Sequence, residues 1–331
     1  MARGLETSSA GNHEGVTSHS NNALRGKRLV FLVGAPRSGT TWLELLLAQS
    51  PAVVAAYETQ LFSGYMNSCF RIWNDLRHKE LSSGLHHYLT PDEYLLSLRN
   101  LAASILVTIA ARKPIAKIVL EKSPDHAFCS KEILELFPYA EFLHITRDPR
   151  SVVASLLAGS KTWASTWAPH DIHEACHKWR RHVESARQIR LTGARYHELD
   201  YRDLVEDGPR VLKGVFDWLG VSTTLEDCAT YYDECSIEKL RKGVNANTQI
   251  INLSRRPREF FRHGKTDHWQ HELSARKVAL IEELTEPLLT ELGYRRAPRS
   301  YVISCFLRAS LASAKVRKAI KWRLQGLADR L

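Results

Sequence analysis

Arg37, Ser38, Gly39, Thr40 and Thr41 fall together in the run Gly34-Ala-Pro-Arg-Ser-Gly-Thr-Thr-Trp42. Two glycines, three hydroxyls and a guanidinium in so short a segment point successive backbone N–H groups and a cation at one spot, the chemistry of a phosphate cradle. The spacing nearly matches the nucleotide-triphosphatase loop G-x-x-x-x-G-K-[ST]. Thr40 stands where that loop needs the lysine for the β/γ-phosphates, and the cation has moved to Arg37. Such a loop suits a nucleotide with a shorter phosphate chain.

Other chemistry-bearing residues follow apolar segments. Arg147 comes directly after Phe142–Thr146 and Ser155 eight residues later, so both can meet one anion, the arginine bidentately. Lys122 closes Lys117–Lys122, Glu58 sits at the tip of Val53–Gln60, and His126 lies just beyond Lys122. Tyr201 follows Arg195–Asp200. The segment Phe260-Phe-Arg-His-Gly-Lys-Thr-Asp-His-Trp269 adds Arg262 and Gly264, with His263 and Lys265 as further cations. His170, His173 and His177 share a helix face without a second ligand cluster, so a solvated face is expected there and no metal.

The elements that must carry these residues can be read from pattern. The apolar run Leu29–Val33 breaks at Gly34 and resumes at Trp42–Ala48, which predicts strand, loop and helix. Further strands are expected over Val53–Gln60, Lys117–Lys122, Ala140–Thr146 and Arg195–Asp200. Helices are expected over Lys131–Leu136, Ser151–Leu157, Asp171–Leu191, Pro209–Leu219 and Ser274–Leu292. Thr90-Pro-Asp-Glu93 is a capping box with proline at the first helical position, opening a helix to about Arg112. Leu61–Tyr88 reads as an irregular aromatic stretch over the core or an acceptor pocket, and Leu240–Phe260 as a loop. Alternating β and α segments predict a three-layer α/β fold, a mostly parallel sheet with helices on both faces. Ligands of such sheets sit beyond the carboxyl ends of the strands, where these motifs fall.

Pro36-Arg-Ser-Gly-Thr-Thr-Trp42 resembles the 5′-phosphosulfate loop of the sulfotransferases, whose sulfuryl donor is 3′-phosphoadenosine 5′-phosphosulfate (PAPS). The Arg147/Ser155 pair resembles that family's 3′-phosphate motif. Phe260–Trp269 resembles its late Arg-x-Gly loop, which implies donor contacts from Arg262 and Gly264. Leu199–Val205 is similar to its Tyr-Glu-Asp-Leu segment; Tyr201 then either donates to adenine or plugs a strand–helix corner. Trp42 matches a position where cytosolic members stack a tryptophan on adenine, the alternative being a core residue. Lys122 resembles the lysine that contacts the sulfuryl or bridging oxygen, against a buried pair with Glu121. Glu58, before Thr59 and twenty-one residues after Arg37, resembles the general base of the tyrosylprotein sulfotransferases, against a surface glutamate ending a strand. His126 is the second candidate: cytosolic members place a base histidine two residues after a lysine, and here it is displaced. The resemblance implies sulfuryl transfer from PAPS to a hydroxyl or amine of a small-molecule, carbohydrate or lipid acceptor. Adenosine 3′,5′-bisphosphate (PAP) would be released, with no metal and Arg37 stabilising the leaving oxygen.

The totals set the alternatives. At 331 residues and a net charge of +10, the chain suits an acidic ligand, an anionic membrane surface or nucleic acid. A nucleotide kinase would want the lysine that Thr40 replaces and an acidic magnesium-binding strand end. A basic nucleic-acid- or membrane-binding module accounts for the charge but not for two phosphate motifs at strand ends, so no nucleic acid partner is expected. Six cysteines without C-x-x-C pairing suggest reduced thiols; with no apolar signal core and no bilayer-length apolar run, a soluble cytoplasmic protein is expected. The pattern divides the chain into a disordered segment 1–26, a catalytic domain 27–298 and a basic amphipathic helix over 299–331. That helix could face its own domain, a homodimer partner or a membrane surface.

Overall fold

A strand buried on both faces must be apolar throughout, and β1 (Arg28–Val33) is so after its first residue. The computed structural model describes residue 24 and residues 26–79, 83–242, 260–262 and 264–298. Segment 1–23, residues 243–259, His263 and the 299–331 tail lie outside the described residues, and with them the expectations for both chain ends.

The described chain forms two compact units. One comprises residues up to 146 with 182–262, the other residues 147–181 with the chain from 264 onward. The first unit opens with β1, α1 (Thr40–Ala48) and β2 (Val53–Tyr57), then a π-helical turn (Leu61–Met66) running into α2 (Asn67–His78). It continues through α3 (Pro91–Ala110), β3 (Ile118–Lys122), α4 (Ser130–Leu136) and β4 (Glu141–Thr146). The second unit's α5 (Pro149–Ser160) follows, and α6 (Ile172–Gln188) leads back to β5 (Tyr196–Asp200), α7 (Tyr201–Glu206), α8 (Gly208–Trp218), α9 (Leu225–Glu234) and α10 (Ile237–Arg241). The chain ends in the second unit with α11 (Trp269–Glu272), α12 (Ala275–Thr285) and α13 (Leu288–Glu291).

The five strands pair in the order β2-β3-β1-β4-β5, every pairing parallel. Alternate residues of β1 feed two cores: Phe31 and Val33 pack with α2, α3 and α4, Val30 and Leu32 with α1, α8 and α9. This is the expected three-layer arrangement, with β1 central and the exits of the strands on one edge.

Several expectations need correction. The Leu61–Tyr88 stretch is helical from Leu61 to His78: Phe62, Met66, Phe70 and Trp73 recur at helical spacing and are all buried. The single helix expected over Ser274–Leu292 stops at Thr285, because Pro287 has no N–H to continue the ladder. Helices α9 and α10 were not expected, although Thr224 and Asp227 form a full capping box at the start of α9. By length and composition α3 could cross a membrane, contrary to the sequence reading; in this fold its Tyr94, Leu98, Ala102, Leu106 and Ile109 are buried in the core.

Within the second unit Arg150 is buried and holds three elements. It pairs with Asp148 at 2.7 Å and with Glu282 of α12 at 2.9 Å, and donates to the Arg295 carbonyl at 3.0 Å. Trp269 lies under its guanidinium, 4.2 Å from ring centroid to carbon.

Candidate active site

The loop after β1 turns on Gly39, which has φ +98° and begins α1. A Cβ there would lie 2.5 Å from the Tyr201 ring, so glycine is required both by conformation and by space. Arg37 is held at φ +75°, and its guanidinium donates to the Phe260 carbonyl at 2.6 Å while lying over the Phe260 ring. The Ser38 hydroxyl is buried and has no hydrogen-bond partner among the described residues. An orphaned hydroxyl inside a loop of amides is what a bound phosphate oxygen would satisfy. Arg37, Ser38, Gly39, Thr40 and Thr41 are thus brought together as expected.

Lys122 is the centre of the first unit's polar cluster. It is fully buried at the carboxyl end of β3, with Nζ 2.7 Å from Glu58 Oε1 and 3.1 Å from Thr41 Oγ1. The Tyr57 ring lies 3.8 Å from the ammonium. The triphosphatase loop takes its lysine from the helix that follows the loop; here an ammonium reaches the same helix start from a neighbouring strand. The alternative pairing of Lys122 with Glu121 is not formed, because adjacent residues of a strand point to opposite faces.

Behind Lys122 lies Glu44 of α1, which the sequence reading missed. Its carboxylate is fully buried, 3.7 Å from Lys122 Nζ, too long for a hydrogen bond, and neither oxygen has a hydrogen-bond partner among the described residues. Burial pushes this carboxyl up to about 8; Lys122 pulls the other way, and Glu121 and Glu58 add to the rise. Its one sequence signal is a charge inside the apolar run Leu43–Leu47.

Glu58 follows β2 at φ +39°, and Gln60 has φ +55°. With Arg37 these are the non-glycine residues of positive φ among those described, an energetically costly conformation that persists only where its surroundings enforce it. They are enforced. The Glu58 N–H donates to the Lys122 carbonyl at 2.8 Å, and the Thr59 hydroxyl to Glu121 Oε1 at 2.6 Å. The Phe62 N–H donates to His126 Nε2 at 3.3 Å. Glu58 itself is one-third exposed, so its carboxylate is reachable.

His126 is fully buried, one ring nitrogen accepts from Phe62, and Nδ1 lies 2.5 Å from Glu121 Oε2, off the line of a good hydrogen bond. Burial alone would raise the Glu121 carboxyl; His126 and the hydroxyls of Thr59 and Ser123 outweigh it and hold it below the usual carboxylate range. His126 therefore braces the turn that carries Glu58. Trp42 lies against the core: it is 5% exposed, donates through Nε1 to the Cys235 carbonyl at 2.8 Å, and tilts against Tyr201 and Tyr232. Tyr201, 3% exposed, plugs the corner against Gly39. Arg262 is partly buried near Phe260 in the first unit.

The second unit holds the other anion motif. Arg147 donates to the Lys265 carbonyl at 3.0 Å, and Ser151 to the Thr266 carbonyl at 2.9 Å, so the chain after Gly264 (φ +67°) is stitched to the start of α5. Trp179 Nε1 donates to the Arg147 carbonyl at 3.1 Å, and Ser155 is buried further along α5. The Arg147 motif and the late glycine loop, far apart in sequence, meet here.

A family model described as "Sulfotransferase family" matches residues 30–226. The protein-tyrosine sulfotransferase 2 of Gallus gallus is 23% identical over 234 residues, covering 68% of this chain and 61% of that protein; the chain thus matches about three-fifths of that relative's length. Among solved structures, the sulfotransferase domain of the Synechococcus PCC 7002 olefin synthase has a TM-score of 0.55 at 20% identity, over 82% of this chain and 97% of that one. Retinol dehydratase in complex with retinol and PAP has a TM-score of 0.50 at 20% identity, over 86% and 88%. At those identities the structural likenesses show the fold.

Proposed function

Because the chain belongs to the sulfotransferase family, we propose that it transfers the sulfuryl group of PAPS to a hydroxyl or amine of a small-molecule, carbohydrate or lipid acceptor. The observation that carries this reading is the Glu58–Lys122–Thr41 chain, in which one buried ammonium joins a reachable carboxylate to the start of the phosphate-loop helix. A solved neighbour of the same fold holds PAP, the nucleotide that such a donor leaves behind.

Sulfuryl transfer, like phosphoryl transfer, requires mainly in-line positioning and stabilisation of the leaving oxygen. The loop amides, the Ser38 hydroxyl and Arg37 hold the 5′-phosphosulfate. Glu58 takes the proton of the acceptor hydroxyl as its oxygen attacks sulfur. The bond from sulfur to the bridging oxygen breaks, and the charge left on the 5′-phosphate is met by Arg37 and Lys122. The 3′-phosphate role of Arg147 and Ser155, and the donor contacts of Arg262 and Gly264, rest on their motifs.

The test is transfer of label from ³⁵S-PAPS to a panel of alcohols, phenols, sugars and lipids. Glu58→Ala should slow transfer at least about 100-fold, the usual worth of a general base, while PAP affinity measured by calorimetry stays near native. Near-native turnover in this variant would remove Glu58 as the base.

A further inference from the structure

Three carboxylates gather at the carboxyl end of β3, and only two of them have an evident task. Glu58 faces the acceptor side and takes a hydrogen bond from Lys122. Glu121 receives the Thr59 and Ser123 hydroxyls and faces His126. Glu44 does neither: it is fully buried, and its oxygens have no hydrogen-bond donor among the described residues. An ionised carboxylate so placed would be among the most costly groups in the molecule, and its nearest relief is the Lys122 ammonium at 3.7 Å. A neutral carboxyl there needs no counter-charge.

We propose that Glu44 is a positioning residue acting through Lys122: neutral, it leaves the ammonium to Glu58 and the transferred group; ionised, it draws the ammonium away from them. This rests on the sulfuryl-transfer reading. The groups facing Glu44 are consistent with it. From β3 comes Lys122 and from the end of β2 comes Glu58, while Glu121 acts through its charge from the opposite face of β3. The other elements packed on α1 direct their polar groups elsewhere. Tyr232 of α9 meets Trp42, and Cys235 meets Trp42 and Gln49. Lys213 and Asp217 of α8 pair with each other, and Arg28 of β1 pairs with Glu141. Lys122 is thus the one cation among the described groups that face Glu44. The burial that holds this carboxyl neutral to about 8 puts the changeover just above neutral pH.

Two measurements on the full chain test this, and neither needs an acceptor. Infrared titration of the native protein should show the band of a protonated carboxylic acid that persists at pH 6–7, fades around pH 8 and is missing in Glu44→Gln. PAPS affinity by calorimetry should fall severalfold from pH 7 to pH 9 in the native protein and remain flatter in Glu44→Gln or, should the glutamine fold poorly, in Glu44→Met. An acid band that is absent, or unaffected by either substitution, overturns the proposal, as do parallel affinity profiles. Failure of the native protein to bind PAPS at any pH would instead strike at the sulfuryl-transfer reading, while the infrared band would still judge Glu44.

Discussion

An ammonium taken wholly out of water costs several kcal/mol unless partners replace its hydration. Lys122 has three such partners in Glu58, Thr41 and the Tyr57 ring, and it holds Glu44 in reserve. Glu44 has no such set, so the fold favours its protonated form. The stability consequence has a definite sign. The folded state keeps the Glu44 proton up to about 8, whereas the unfolded chain releases it near the ordinary value of 4.5. Stability from this group is therefore complete below pH 4.5 and is lost as pH rises towards 8, at a rate on the order of 1 kcal/mol per pH unit. Urea unfolding at pH 5, 6, 7 and 8 should show native stability declining relative to Glu44→Gln across that window. A constant difference between the two proteins would place the native Glu44 carboxyl at an ordinary value.

At the scale of elements, the exits of β1 and β2 carry the strained residues. Arg37 and Glu58 both have positive φ, and both lie in turns whose hydrogen bonds leave little freedom. Gly39 completes the first turn, and Gly39→Ala adds two separate penalties: a side chain at φ +98° and a Cβ 2.5 Å from Tyr201. Together they should cost about 2 kcal/mol or more in urea unfolding. Adding Tyr201→Ala should recover only the steric part, so the double variant should be more stable than the sum of the single effects predicts. Strict additivity would mean that the ring does not press on this glycine. The β1–loop–α1 unit was legible in sequence because an apolar run, two glycines and a second apolar run leave few alternatives, and the Thr90–Glu93 capping box marked α3 as directly. Other features were not legible. Whether Glu121 or Lys122 faces α1 depends on strand register, which sequence does not show. The core role of Trp42 depends on Cys235, which is brought in by α9 and α10 from nearly two hundred residues away. The burial of His126 under Phe31 and Phe62 is a tertiary fact that the sequence does not show.

For the whole molecule, the donor assignment makes a prediction about stability that is independent of any acceptor. The chain carries a net charge of +10, and its phosphate loop has no lysine at Thr40 to reach a γ-phosphate. PAP has separate phosphates on the 3′ and 5′ positions, whereas ATP concentrates three at one end and brings magnesium with it. A ligand that binds only the folded state at 100 times its Kd stabilises by about 2.7 kcal/mol. For a chain of this size that is a rise in Tm of roughly 4 °C. PAP should produce such a rise in the presence of EDTA, and moderate salt should reduce it, because exposed charges are screened over about 10 Å at 0.1 M. Arg147→Ala should lose most of the rise, each protein being compared with its own ligand-free Tm because the substitution also removes the bond to the Lys265 carbonyl. If Mg-ATP instead raises Tm more than PAP does, the loop holds a triphosphate despite Thr40. The role given to Lys122 would then pass from the bridging oxygen of a sulfuryl donor to the phosphates of a kinase substrate.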